Sequence, residues 1–250
     1  MNTWWKQYLT SPLITALGRQ KELLKFSKPP VIIGGCARSG TSMLLSMLSA
    51  HPSIHAIPVE TDAFTHWDLV GRPMRIDRFY RELLKARIKP NSNRWCEKRP
   101  YNVRYIAEIL RYFGENVRFI HIIRDPRAVC TSRHPEKPDS YWVPPDRYVH
   151  DVTLGLAYEN HPSVHSLKFE ELIQNEKEEL RKVCEFIDEP FEMNIENWMK
   201  HATVRTNRAW FQPLQNVSLR NWTEPEHSGR LKELESHTSL INLMHKLGYH

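Results

Sequence analysis

Blocks of apolar residues alternate along this chain with blocks in which apolar and polar residues recur at helical spacing. Residues 31–33 are all β-branched and predict a buried strand, and residues 43–48 are helix formers that predict a helix soon after it. Residues 105–113 predict an amphipathic helix, and residues 117–123 predict a second buried strand. Because strands that alternate with helices indicate a parallel sheet, we expect a three-layer α/β fold with a central parallel sheet.

The later part of the chain continues this pattern. Residues 164–169 predict a third strand, residues 171–187 a helix, and residues 231–247 a last helix before Gly248. Two stretches rich in aromatic residues, prolines and charges look like insertions, at 59–93 and 134–162.

The first 27 residues carry large apolar side chains among polar neighbours. These side chains are Trp4, Trp5, Tyr8, Leu9, Leu13, Ile14 and Leu17. The pattern fits an amphipathic helix that rests on a membrane, and it also fits a helix that packs on its own domain. We favour packing on the domain, because surface helices commonly carry such a stripe. The expected organisation is a helical extension at 1–27 and a single domain at 28–250.

The stretch between the first strand and its helix has the composition of a phosphate-binding loop. Its sequence, GGCARSGTS, places Gly35 and Gly40 around a tight turn that leads into a helix. Backbone N–H groups in such a turn point at a ligand, and the helix N-terminus adds about half a positive charge, so an anion can bind without a metal. The spacing nearly matches that of nucleoside-triphosphate loops, but Thr41 stands where those loops carry a lysine.

A second motif, IIRDPRAVCTS, begins within the strand predicted at 117–123. Asp125 suits the N-cap and Pro126 the first position of a helix, which would place Ser132 two turns along it. Arg124 at the strand end and Ser132 can then converge at the carboxyl edge of the sheet, where open α/β sheets bind ligands. An ordinary capped helix would explain Asp125 and Pro126 but would leave Arg124 and Ser132 without a role.

Composition narrows the range of partners. The chain has 250 residues, of which 40% are hydrophobic, enough for one substantial core, and its formal net charge of +6 favours anionic partners. It has no long basic run, and its 4 cysteines and 13 histidines lack metal-ligand spacing, so we expect no nucleic-acid partner, no metal and buried free thiols. The absence of a long apolar stretch and of a signal pattern favours a cytoplasmic protein with at most peripheral membrane contact.

With these motifs in place, the chain resembles the sulfotransferases that use 3′-phosphoadenosine 5′-phosphosulfate (PAPS), and within that family it is most similar to the tyrosylprotein and bacterial branch. GGCARSGTS, with the later AHP, resembles the family's 5′-phosphosulfate loop, and IIRDPRAVCTS resembles its 3′-phosphate motif. CEKRP, which lies between them, resembles a short lysine-proline element. VHSLKFEELIQN and NWT resemble a segment near the adenosine, with Phe169 in place of tyrosine, and a late segment that closes over the cofactor.

The resemblance implies a P-loop-like sulfotransferase fold and an in-line transfer of the sulfuryl group from PAPS to a hydroxyl or amine, without a metal. It implies that Lys98 and Arg38 stabilise negative charge in the transition state and that a carboxylate, which we assign to Glu60, is the base. The implied 5′-phosphosulfate site comprises Gly35, Cys36, Ala37, Arg38, Ser39, Gly40, Thr41 and Ser42. The implied 3′-phosphate and adenosine contacts are Arg124, Ser132, Phe169 and, from the late segment, Arg220.

Two positions depart from the family's pattern. Asn221 stands where tyrosylprotein relatives place a phosphate-binding lysine, and Arg220, one position away, is its expected substitute. Glu60 requires a one-residue shift in spacing, which keeps three other residues open as the base, namely Asp62, His55 and His66.

The sequence leaves open the identity of the acceptor and two functions other than sulfuryl transfer. A glycan, a peptide tyrosine, a lipid or a small alcohol could be the acceptor, and the candidate walls of its cleft are residues 141–145 and the group Phe64, His66 and Trp67. The alternative functions are a P-loop kinase or nucleoside triphosphatase and a catalytically inactive phosphonucleotide-binding protein. The sequence does not define an oligomeric state.

Overall fold

The fold is built on one parallel sheet. A computed structural model describes residues 5–65, 74–114, 116–134, 136–205, 214 and 217–250. Within these residues the strands are β1 (Val31–Gly35), β2 (Ile54–Ala56), β3 (Arg94–Lys98), β4 (Arg118–Ile123) and β5 (Val164–Lys168). They form a five-stranded sheet in the order β2-β3-β1-β4-β5, and each neighbouring pair is parallel. The predicted α/β fold with a central parallel sheet is confirmed.

Helices connect the strands and cover both faces of the sheet. In the described residues the α-helices are Ser11–Lys25, Thr41–Ser49, Asp77–Lys85, Ile106–Phe113, Pro126–Cys130, Pro145–Leu156, Phe169–Gln174, Glu176–Phe186, Met193–Glu196, Trp198–His201, Ser228–Glu235 and Thr238–Leu247. A π-helical turn, Lys6–Thr10, precedes the first of them, and 3₁₀ turns lie at Pro100–Tyr105, Asn221–Thr223 and Pro225–His227.

Two helices that the sequence predicts as single are each divided. The helix expected at 171–187 is interrupted at Asn175, whose backbone leaves the helical region with φ −124° and ψ 44°. Asparagine favours such breaks because its side chain competes for backbone hydrogen bonds. The helix expected at 231–247 is divided before Thr238, where the His237 ring accepts a hydrogen bond from the Leu240 N–H and caps a new helix.

Side chains of the sheet alternate between two hydrophobic clusters, one on each face. Ile33, Ile120 and Ile122 belong to the cluster beneath the Thr41–Ser49 helix, and Ile32 and Phe119 belong to the opposite one. A third cluster, which includes Cys36 and Tyr148, lies beside the Pro145–Leu156 helix. The four cysteines are free and buried, as the sequence predicts.

The first long helix, Ser11–Lys25, packs on the Asp77–Lys85 helix through small and polar residues. Gly18 lies against Tyr80, where an added Cβ would be 2.3 Å from the Tyr80 Cβ. The buried Glu22 carboxylate accepts hydrogen bonds from the Tyr80 hydroxyl and the Trp95 indole, each at 2.6 Å. The helix Ser11–Lys25 therefore packs on the domain through these contacts and through Ile14, whereas Leu13 and Leu17 are exposed. No helix among the described residues has both the length and the apolar character needed to cross a bilayer.

His121, in β4, is a buried base without a hydrogen-bond partner in the described part of the chain. Its ring packs against Gly155, where an added Cβ would lie 2.2 Å from the imidazole. Burial lowers the pKa of His121 to about 4. The unfolded chain binds this proton near pH 6.5, so the unfolded state holds more protons than the folded state between pH 6.5 and about 4.

We therefore expect the free energy of unfolding to fall as pH drops through this window and to be unaffected by His121 above it. The contribution of His121 at pH 4 is on the order of 3 kcal/mol. Urea unfolding of the wild type and of His121→Leu, from pH 4 to 7.5, checks this: the variant should lose this part of the pH dependence, whereas His150→Leu, at an exposed position, should keep it. Identical pH profiles for wild type and His121→Leu would contradict it.

Candidate active site

The phosphate loop lies between β1 and the Thr41–Ser49 helix, with two glycines at backbone positions that other residues rarely adopt. Gly35 has a φ of 156°, and a Cβ there would lie 2.4 Å from the Ile122 carbonyl oxygen. Gly40, with a φ of 99°, begins the helix and supplies no side-chain cap, so the first helical N–H groups are left for a ligand. Arg38 lies between them with a φ of 72°, a strained value for a residue with a side chain.

This loop lines a pocket of about 640 Å³ at the carboxyl ends of the strands, a typical size for a small-molecule site. The structure brings most of the predicted residues together there. The predicted residues that line it are Ala37, Arg38, Gly40, Thr41, Ser42, Glu60, Arg124, Ser132 and Phe169.

The other predicted residues lie beside or beneath the pocket. Cys36 and Ser39 are fully buried under the loop. Lys98 is outside the lining but contacts Glu60, which belongs to it. Arg220 is exposed and is not part of the lining, whereas its neighbour Asn221 is.

Arg124 contacts both the loop and the Phe169 ring, which packs on the loop. Its guanidinium Nη1 donates to the Arg38 carbonyl oxygen at 3.2 Å, and its guanidinium carbon lies 4.5 Å from the centre of the Phe169 ring. Burial lowers the pKa of Arg124, Glu170 opposes this effect, and repulsion from Arg38 adds to it. Neither Arg38 nor Arg124 forms an ion pair with a carboxylate in the described ranges, so the pocket holds uncompensated positive charge that favours an anion.

Ser132 reaches the pocket by a shorter route than predicted. Asp125 caps the Pro126–Cys130 helix, as expected, by accepting from the Arg127 N–H at 2.8 Å. The helix ends at Cys130 and not two turns along, because the following Thr131 and Ser132 hydroxyls donate back to helix carbonyls, Ser132 to that of Ala128 at 2.8 Å. Ser132 therefore lies just beyond the helix end and lines the same pocket as Arg124.

The variant Gly40→Ala tests the packing of the Phe169 ring on the phosphate loop. An added Cβ would lie 2.3 Å from Phe169, and the φ of 99° would also be strained, so we expect Gly40→Ala to lower the free energy of unfolding by about 1–3 kcal/mol. Gly229→Ala is the matched control, because nothing lies within 4 Å of a Cβ there and alanine favours the helix. Chemical denaturation of both variants is the measurement, and equal stabilities would contradict the packing of Phe169 on the loop.

Glu60 and Lys98 form an ion pair at the pocket wall. The Lys98 ammonium donates to the Glu60 carboxylate, and the Lys98 side chain is 8% exposed against 46% for that of Glu60. β3 ends at Lys98, and β1 and β2 flank it on either side. A cation and a carboxylate are thus held together at the edge of the sheet where the phosphate loop begins.

The other candidate bases are placed less favourably. The Asp62 carboxylate lines the pocket but is held by two guanidiniums, those of Arg99 and Arg78. His55 lies in a separate groove with Lys89, and burial followed by repulsion from Lys89 and Lys21 lowers its pKa. His66 lies outside the described residues.

Glu97 is a buried carboxylate that is not among the site residues predicted from the sequence. It accepts from the Thr61 hydroxyl at 3.0 Å and from the Asn102 side-chain amide at 2.8 Å, and that amide also donates to the Ile33 carbonyl oxygen. Burial raises the pKa of Glu97, and these hydrogen bonds oppose the rise. Because Thr61 follows Glu60 directly, this network ties the backbone at Glu60 to β3 and β1. A sequence signal for a strand at residues 94–98 would have been needed to predict that Glu97 is buried in this network.

An aromatic and cationic wall of the pocket is built around Tyr101. The Tyr101 ring lies within 5.0 Å of the guanidinium carbons of Arg99, Arg104 and Arg147, and Trp142 completes the wall. Phe64, expected in such a wall, is instead buried against Phe79 and Phe113 in the core. Trp67, like His66, lies outside the described residues.

A glycine-bracketed loop after the first strand shares one pocket with an arginine and a serine from the segment after the neighbouring β4, an arrangement that defines a P-loop-like α/β protein. The chain belongs to the sulfotransferase domain family, whose model matches residues 28–232.

Curated relatives share this family. A protein-tyrosine sulfotransferase of Drosophila melanogaster is 24% identical over 197 residues, which cover 65% of this chain and 38% of that protein. A putative protein-tyrosine sulfotransferase of Caenorhabditis briggsae is 26% identical over 183 residues, which cover 63% of this chain and 65% of that protein. The chain therefore spans less than two thirds of either relative.

Solved structures share the fold. The sulfotransferase domain from the curacin biosynthetic pathway has a TM-score of 0.58 at 12% identity, covering 90% of this chain and 99% of that one. The mouse sulfotransferase SULT7A1, solved in complex with PAP, has a TM-score of 0.52 at 13% identity and covers 87% of each chain. These similarities establish the P-loop-like sulfotransferase architecture predicted from the sequence.

Proposed function

We propose that this chain transfers the sulfuryl group of PAPS to a hydroxyl or amine acceptor and releases adenosine 3′,5′-bisphosphate (PAP). The observation that carries the proposal is that Arg124 and Ser132 line the same pocket as the phosphate loop. One nucleotide with a phosphate at each end of its ribose can contact both subsites. The family membership and the mouse relative solved with PAP support this choice of nucleotide.

The residues of the pocket fit such a nucleotide. The buried Arg124 Nε and Asn221 Oδ1 lack partners among the described residues, so each has a hydrogen bond to give or accept. Because Gly40 has no Cβ, the Phe169 ring, which also lines the pocket, packs directly on the loop. The position of the triphosphate-binding lysine is held by Thr41, which disfavours a kinase or nucleoside triphosphatase. We assign the late contact to Asn221 rather than to the exposed Arg220, because Asn221 belongs to the lining.

The donor supplies a sulfuryl group on a phosphate leaving group. Transfer of this kind passes through a charge-dispersed transition state, so catalysis depends mainly on positioning and on fixed positive charge. Lys98 and Arg38 provide that charge beside the loop, together with the N–H groups of the Thr41–Ser49 helix. Glu60 accepts the proton that the acceptor loses on attack. Glu97 holds Thr61 and thereby keeps Glu60 at the pocket wall.

We infer that residues 28–250 form the catalytic domain and that residues 1–27 are an extension. The family model begins at residue 28, and the Glu22 contact to Trp95 attaches the extension next to β3, the strand that carries Lys98. The first acceptor to test is a peptide tyrosine, because both curated relatives described above are named protein-tyrosine sulfotransferases.

The experiment that tests the function is a mass-shift assay with PAPS and separate panels of tyrosine peptides, glycans, lipids and small alcohols. We expect one panel to gain the mass of a sulfuryl group, with PAP formed in equal amount. The acceptor class follows from the panel that reacts. PAP binding without turnover of any panel would support an inactive nucleotide-binding protein, and magnesium-dependent ATP binding without PAP binding would support the kinase alternative.

A further inference from the structure

A stripe of exposed apolar side chains runs along the outer face of the N-terminal helix, by which we mean the π-helical turn Lys6–Thr10 and the helix Ser11–Lys25 that continues it. We call this set the apolar stripe: Trp5, Tyr8, Leu9, Leu13, Leu17, Leu23 and Leu24. Their exposed fractions range from 48% to 82%, and in the described part of the chain the other exposed large hydrophobic residues are Val59, at 47%, and Met193, at 74%. Exposed apolar residues are thus concentrated on one element, and such a concentration marks an interaction surface.

The apolar stripe lies opposite the face by which the helix is attached. The helix meets the domain through Ser11, Gly18 and Glu22, which are buried, and at about 100° per residue these three cluster on one side. Leu9, Leu13 and Leu17 follow one another at four-residue intervals on the other side. The stripe extends over about 28 Å of helix, from Trp5 to Leu24. The domain therefore holds the helix so that its apolar side faces outward.

The charges of this helix favour an anionic surface. Between residues 5 and 25 the basic residues are Lys6, Arg19, Lys21 and Lys25, and the single acidic residue, Glu22, is buried against Tyr80 and Trp95. Lys21 and Lys25 donate to carbonyl oxygens of the domain and not to carboxylates, so their positive charge is not neutralised there. A second copy of the chain would bring the same cations together, which disfavours self-association through the stripe.

We propose that the apolar stripe inserts into the interface of an anionic lipid bilayer. Leucine side chains would enter the acyl boundary, Trp5 and Tyr8 would lie at the headgroup level, and the exposed Lys6 would contact lipid phosphates. The helix would lie in the plane of the membrane with the domain above it. This proposal does not depend on the nucleotide site and can be tested without PAPS.

The test is flotation of the full chain with two kinds of vesicle, phosphatidylcholine alone and phosphatidylcholine mixed with phosphatidylserine. We expect binding to the mixed vesicles, with weaker binding at high salt. Leu13→Glu, at a position 61% exposed, should lower the vesicle partition coefficient about tenfold or more. Met193→Glu, at a position 74% exposed on another helix, introduces the same charge and should leave partitioning unchanged. Lys6→Gln should weaken partitioning about fivefold.

Thermal unfolding followed by circular dichroism establishes that each variant folds, and Leu24→Glu, at a position 82% exposed, repeats the test at the far end of the stripe. Equal binding by the wild type and both leucine variants would overturn the proposal, as would failure of the wild type to float with the mixed vesicles. Sedimentation that shows a dimer dissociated by Leu13→Glu, without vesicle binding, would also overturn it and would assign the stripe to a second copy.

Discussion

Replacing Glu60 by glutamine is expected to lower kcat by about 10²–10⁴ with little change in PAP binding, because glutamine keeps the shape of the side chain but cannot accept the acceptor's proton. Glu60 is the carboxylate that lines the pocket and contacts Lys98, whereas Asp62 is held by Arg78 and Arg99. Initial rates at saturating PAPS, together with titration of PAP, separate the loss of proton transfer from a loss of binding.

Asp62→Asn is the matched control for Glu60→Gln, because it removes one carboxylate charge two residues away in the same pocket. We expect a smaller fall in kcat, since this change affects the placement of Arg99 and not the proton transfer. If Asp62→Asn instead reduced kcat as much as Glu60→Gln is predicted to, and Glu60→Gln left kcat unchanged, Asp62 would be the base and our assignment would be wrong.

Lys98→Ala should lower kcat by about 10²–10³, the usual effect of removing one fixed stabiliser of transition-state charge. The variant also frees Glu60 from its ion pair, so its effect and that of Glu60→Gln should not add in the double variant. Single-turnover rates of the two single variants and the double variant measure this coupling.

Lys89→Ala provides the control for loss of a partly buried lysine. Lys89 lies in the groove with His55 and donates to the Ser49 carbonyl oxygen, away from the nucleotide pocket, so kcat should be unchanged. An equal fall in kcat for the two lysine variants would show that Lys98→Ala lowers kcat through a loss of stability and not through the loss of positive charge in the transition state.

The sequence was sufficient for the phosphate loop and for the sheet around it. Apolar residues predominate in β1 and β4, as expected for strands buried on both faces, and Gly40 and Asp125 mark the starts of the helices that follow. Because the ends of neighbouring parallel strands lie at one edge, Arg124 and the loop could be expected to meet before any coordinates were known.

β3 and the network at Glu97 could not be predicted in the same way. Three of the five residues in β3 are charged, and their burial depends on partners far along the chain, such as Glu189 for Arg94 at 2.9 Å. Burial of such charges is acceptable only when tertiary contacts satisfy them, and local periodicity carries no information about those contacts. Local sequence pattern likewise does not predict that Asp62 pairs with two arginines, the contacts for which we reject it as the base.

The orientation of the N-terminal helix was also beyond sequence pattern. Its leucines indicated an amphipathic helix, but the attachment depends on the fit of Gly18 to Tyr80 and on a buried carboxylate at Glu22. A stripe of leucines predicts that one face of a helix is buried, but it does not identify the surface against which that face packs.

If one nucleotide joins the phosphate loop to Arg124, calorimetric titration of wild type and Arg124→Ala with PAP and with adenosine 5′-monophosphate will separate the two phosphate contacts. The monophosphate lacks the 3′-phosphate but keeps the rest of the nucleotide. We predict that Arg124→Ala weakens PAP binding by about 10- to 100-fold, the value of a charge-assisted contact, and leaves the affinity for the monophosphate nearly unchanged. Equal losses for both nucleotides, or no binding of PAP by the wild type, would contradict the account.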